Sequence, residues 1–142
     1  MRKIILSTLI IFLCLTPTLK AEEPLLGEWK LVSYNNQKYD SIIADDDKFF
    51  GLPSAKSFIS FENDGRFFAD LGCNKLSGSL VVKKKGDKQY IEFKDGISTL
   101  MACPEIHNML INDLFFSNSK FTIEGNILTF ISSSKTSIVF KK

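Results

Sequence analysis

The chain has 142 residues, 44% hydrophobic and 24% charged, with 13 Phe, 3 Cys, a single His and a formal net charge of +2. Hydrophobicity at that level without a large net charge excludes a disordered chain. The sequence has no HExxH spacing and no Cys/His cluster, so a zinc site of ordinary composition cannot be assembled, and any histidine-dependent chemistry would have to use His107.

The N-terminal segment carries Arg2 and Lys3, then an apolar stretch from Ile4 to Leu15 broken only by Ser7 and Thr8, then Pro17 and a small residue at Ala21. This is the layout of a secretory signal peptide, expected over residues 1–21 with cleavage after Ala21. The stretch is far shorter than the roughly 20 helical residues that a bilayer core requires, so no transmembrane span is expected in the mature chain. Cys14 raises the question of a lipid anchor. Bulky Leu13 stands before it where a lipoprotein has a small residue, so Cys14 is read as part of the signal core. Eighteen bases less Arg2, Lys3 and Lys20 leave 15 against 16 downstream acids, a mature net charge of −1. No nucleic-acid partner is expected from that balance.

Residues 22–142 are long enough for one domain with a real core. They read as short alternating strands punctuated by turn signals, the pattern of an antiparallel sheet or barrel. The first strand is Gly27 to Tyr34, with Trp29 and Leu31 on one face and Glu28 and Lys30 on the other. Asn35 to Ser54 is polar and irregular, carries Asp45, Asp46, Asp47, Phe49, Phe50 and Pro53, and reads as a long loop. Ser57 to Glu62 and Arg66 to Leu71 flank Asn63-Asp64-Gly65, a hairpin signal because Gly tolerates positive φ. A second hairpin runs from Ser79 to Lys85 and back from Lys88 to Lys94. Its Lys83-Lys84-Lys85 run reads as a solvated strand end that discourages edge pairing.

Pro104 to Ser117 breaks the period of two, with Ile106, Met109, Leu110, Leu114 and Phe115 at helical spacings and Pro104 suited to the first turn. Ile111 widens the apolar stripe, which predicts a helix covered on most of its circumference by a curved sheet. Lys120 to Glu124, Ile127 to Ser132 and Thr136 to Phe140 complete the strands. The expected fold class is α+β, an antiparallel β-sheet curled into a partial barrel around one α-helix. Trp29, Phe61, Ile91, Phe93, Leu110, Leu114 and Leu128 fall on inward phases and are expected to meet in one core.

The residues able to carry chemistry are few. His107 reads as a partly exposed helical histidine; Cys103, four residues earlier, is the one thiol it could activate. Counting from Asp45, an EF-hand would need Gly at the sixth position and Glu at the twelfth, where this chain has Phe50 and Lys56. No catalytic residue, metal site or cofactor is therefore expected.

Several segments resemble a family in its own order. They are Leu26-Gly27-Glu28-Trp29-Lys30-Leu31, then Phe61-Glu62-Asn63-Asp64-Gly65-Arg66. The most specific are Gly72-Cys73-Asn74 with Ser77-Gly78-Ser79, and Ser98-Thr99 with Met101-Ala102-Cys103-Pro104. On these the chain resembles a META domain of the HslJ-like type, small envelope proteins of bacteria, over nearly all of residues 22–142. It departs from the family pattern at Leu80 and Leu100, where an aromatic and an arginine are usual. The resemblance implies an antiparallel sheet curled around one helix and links to heat shock, stress response and virulence, without a known reaction. Its signature residues would be Gly72, Cys73, Asn74, Gly78, Met101, Ala102, Cys103 and Pro104.

With the signal peptide removed, Cys73 and Cys103 are the two cysteines left, and an oxidising compartment favours a disulfide between them. The alternative, two buried thiols serving packing alone, stays open at this level. The leading functional expectation is a non-enzymatic protein, periplasmic or secreted and monomeric, that binds a protein or lipid partner in the cell envelope. The alternative is a secreted inhibitor or host-directed interaction module acting through the loop from Asn35 to Pro53. An acyl-accepting cleft and a filled core between sheet and helix would use the same residues.

Overall fold

The computed structural model of the protein describes residues 23–38, 42–43, 57–133 and 136–142. The expected signal peptide with Cys14 and Ala21, and the segment carrying Asp45, Asp46, Asp47, Phe49, Phe50 and Pro53, lie outside the described residues. A single 3-10 turn, Glu23–Leu25, leads into β1 (Gly27–Asn35), β2 (Ile42–Ile43), β3 (Phe58–Phe61), β4 (Arg66–Asp70), β5 (Lys75–Lys85) and β6 (Lys88–Ser98). Then come α1 (Glu105–Phe115), β7 (Ser119–Glu124), β8 (Ile127–Ser133) and β9 (Thr136–Lys141).

All pairings are antiparallel, in the order β1-β3-β4-β5-β6-β7-β8-β9, and β9 pairs back onto β1. The eight strands thus close an antiparallel barrel, where a partial barrel was expected. Closure depends on β1 serving two neighbours along its length. Gly27 to Lys30 pair with β3, and Lys30 to Asn35 pair with β9. The short β2 adds to the end of β1 at Ser33 and Tyr34, inside the region read from sequence as loop.

Strict alternation in β1 would put Trp29, Leu31 and Ser33 on the core face. The register shifts between Leu31 and Ser33, so Val32 is an extra residue and the inward phase moves by one. Trp29, Leu31 and Tyr34 are the buried residues as a result. The Trp29 indole donates to the Leu25 carbonyl at 2.7 Å, which satisfies its N–H inside the core.

The seven expected core residues do converge: six are buried in one cluster and Phe93 packs against it. The helix contributes Leu110 and Leu114, each fully buried, to this cluster. Glu105, Asn108 and Asn112 remain exposed, however, so the sheet does not encircle the helix. His107, Leu110, Ile111, Leu114 and Phe115 are buried, so α1 packs on the core with one face and completes it together with the strands.

Candidate functional site

The two signature segments meet at the junction between the β4–β5 turn and the start of α1. Gly72 sits at φ +90 and donates its N–H to Asp70 Oδ1 at 3.1 Å, turning the chain sharply after β4. The turn brings Cys73 to Cys103, with the Cα atoms 6.0 Å apart and the sulfurs at disulfide distance. Asn74, buried beside them, accepts the Met101 N–H at 2.9 Å and the Thr99 hydroxyl at 3.0 Å on its Oδ1. Thr99 in turn accepts the Lys75 N–H and donates its own N–H to the Lys75 carbonyl, both at 3.0 Å. Pro104 caps α1 and its carbonyl accepts the His107 N–H at 3.0 Å.

His107 is buried, 1% exposed, in contrast to the partly exposed histidine expected from sequence. Its Nδ1 lies 3.1 Å from the Leu71 carbonyl oxygen, which makes Nδ1 the donor and fixes the proton there. That bond ties α1 to the residue that follows β4. Gly78, the remaining distinctive residue, lies at an irregularity between β5 and β6, where a Cβ would fall 2.6 Å from the Lys94 carbonyl oxygen. Met101 and Ala102 have exposed side chains, and Met101 takes part through its backbone. The signature residues together form a clamp holding the β4–β5 turn, the loop after β6 and the helix in one unit.

A second tie was not legible in the sequence. Tyr34, fully buried in β1, donates its hydroxyl to Asp113 Oδ2 at 2.5 Å and accepts from Asn36 Nδ2 at 2.6 Å. Lys38 meets Glu105 in an exposed ion pair at 2.7 Å. Asp113 could have been singled out as the acid in the middle of an apolar helical stripe; its partner, 79 positions earlier, carried no signal.

Large apolar side chains stand exposed beside the clamp: Ile97 is 74% exposed, Leu100 98%, Met101 61% and Phe116 79%. Between the C-terminal half of β6 and the end of α1 lies a cleft of ≈170 Å³ lined by Phe67, Leu76, Phe93, Phe115 and Phe116. Phe67, Phe93 and Phe115 form its aromatic floor, with ring centroids 4.6 to 5.2 Å apart. Sheet and helix therefore enclose a filled core with a small cleft at one end. Among the described residues, no helix is long and apolar enough to cross a membrane. No group of three or more His, Cys, Asp or Glu side chains among them could hold a metal ion.

The model of the META domain family matches residues 23–142. Among solved structures the chain is similar to a DUF4847 family protein from Bacteroides vulgatus ATCC 8482, whose crystal structure was determined at 1.00 Å. The two are 19% identical, with a TM-score of 0.54, over 84% of this chain and 94% of the other. A protein solved by NMR is similar at 18% identity and a TM-score of 0.54, over 85% of this chain and 95% of that one. No curated protein matches the sequence. At such identities the structural likeness speaks to the fold alone.

Proposed function

The chain belongs to the META domain family, and from that membership we propose that it is an exported, non-enzymatic protein of the cell envelope. It acts by binding a protein or lipid partner and supports the cell surface under stress. The observation that carries this reading is the contrast between the two halves of the site. The polar atoms of Asn74 and Thr99 and the Nδ1 of His107 are engaged in holding the clamp together. Beside them, Ile97, Leu100, Met101 and Phe116 offer apolar surface to a partner.

Export rests on the charged start, the short apolar core and Ala21, together with a cysteine pair suited to an oxidising compartment. The experiment is complementation of cells that lack the chain, challenged by heat or detergent. The full-length chain is expected to restore survival and a version without residues 1–21 is not. Equal restoration by the version without the leader would contradict an envelope role.

A further inference from the structure

Strand pairing closes the barrel wall on nearly its whole circumference, and the exception is β6. It pairs with β7 only from Gln89 to Ile91, because β7 begins at Ser119. β6 nevertheless runs on to Ser98, paired with β5 alone. No strand among the described residues lies along its other edge from Glu92 to Ser98.

The direction of the backbone groups on that edge follows from the neighbouring ladder. Leu80 donates its N–H to the Gly65 carbonyl at 2.8 Å, so its main-chain groups face β4. Phe93 lies directly opposite Leu80. In an antiparallel ladder such a residue turns its own N–H and C=O away from β5, toward the cleft. Gly96, which with Asp95 stands opposite Gly78 inside the register irregularity, has nothing within 4 Å of where a Cβ would stand, so another backbone can approach it closely. Main-chain donors and acceptors thus border the apolar cleft, whose ≈170 Å³ equals about six waters of liquid volume. That is room for one apolar side chain and too little for a long acyl chain. Asp95, which also lines the cleft, adds a negative charge beside it.

We propose that the edge of β6 from Phe93 to Ser98 is a strand-accepting site for an extended segment of a partner protein. The segment hydrogen-bonds along β6 and places one apolar side chain in the Phe67/Phe93/Phe115 cleft. Its next side chain on the same face, two residues on, covers Phe116. A Lys or Arg next to the apolar anchor answers Asp95. This rests on the binding reading above and narrows it to a protein partner and a recognition mode.

Short random peptides displayed on phage and selected against the folded chain supply the probe. Selected peptides are expected to alternate apolar residues with a basic neighbour and to slow amide hydrogen exchange at Phe93, Gly96 and Ser98. N-methylation of alternate peptide amides should weaken binding about tenfold or more, since each lost main-chain bond counts. Phe116→Lys should weaken it similarly with the fold intact, its side chain being exposed.

Selection of no peptide, protection at another surface, or indifference to N-methylation would overturn the proposal. Protection of this edge by phospholipid vesicles in place of peptides, or by self-association that Phe116→Lys abolishes, would do so too, assigning the edge to lipid or to a second copy. A partner held through a different face would sink this inference and leave the binding reading standing. Survival restored without the leader would sink the envelope reading and leave the peptide result intact.

Discussion

Gly78 sits where β4, β5 and β6 crowd together, and a Cβ there would meet the Lys94 carbonyl oxygen at 2.6 Å, Phe67 Cε1 at 2.9 Å and the Gly96 Cα at 3.1 Å. Two of those three atoms are backbone and cannot swing aside. Gly78→Ala is expected to cost about 1–3 kcal/mol in urea unfolding, while Gly96→Ala, at a position with open space, stays within about 0.5 kcal/mol. Equal losses at both would mean that the crowding at Gly78 is relieved by small strand movements. Glu92 gives a second test. The hydrogen bond from Lys83, reinforced by the charges of Lys83 and Lys94 against the opposing effect of burial, holds its carboxyl below the usual glutamate value. A depressed folded-state value means that the contribution is present at neutral pH and lost as pH falls through the carboxylate range. NMR titration should find Glu92 titrating low and Lys83→Met moving it upward; an unmoved Glu92 would remove the Lys83 bond from the account. At this scale Gly72 and Gly78 were legible because their motif segments are distinctive. The burial of His107 was not, since the Leu71 carbonyl that receives its proton is 36 positions away and leaves no trace in the local pattern.

Helix α1 is held by an apolar face and by its junction with the β4–β5 turn, and the two can be tested separately. Leu110→Ala and Leu114→Ala, at fully buried positions, should each cost about 2–5 kcal/mol. A loss below about 0.5 kcal/mol at both would place the helix on the surface. Across the junction, Cys73 and Cys103 stand at disulfide distance, and a bond between them closes a loop with a sequence separation of 30. Reduction is expected to lower stability by about 3–4 kcal/mol in the chain-entropy description, read as a shift of the denaturation midpoint. Unchanged stability on reduction would assign those cysteines to packing alone. The elements themselves were largely legible, because period-two strands, an Asp-Gly turn and a helical stripe rest on local chemistry. Their extents were less so. β5 begins at Lys75 and β6 ends at Ser98, several residues beyond the expected Ser79 and Lys94, because the irregularity at Gly78 lets pairing resume on its far side. The added residue at Val32 was likewise invisible, since its cause is the register against β9 more than 100 positions later.

For the whole molecule, closure of the sheet was the feature least available from sequence. It depends on β9 returning to β1, a contact between the two ends of the domain that no local pattern announces. The signature segments were found as residues, but their role as a clamp needed the hydrogen bonds of Asn74 and Thr99. The apolar rim escaped notice because Ile97 and Phe116 look, in sequence, like ordinary members of a strand and a helix end. On the proposed reading, the barrel, the clamp and the exposed apolar side chains belong to an exported protein that works through its surface. The intact mass of the chain isolated from its own cells, alkylated without prior reduction, tests this account most directly. The account predicts a chain beginning at Glu22, with no lipid mass and no alkylated cysteine, whose digest contains the linked peptides of Cys73 and Cys103. A chain retaining residues 1–21 with both of those cysteines alkylated, or one beginning at an acylated Cys14, would contradict it.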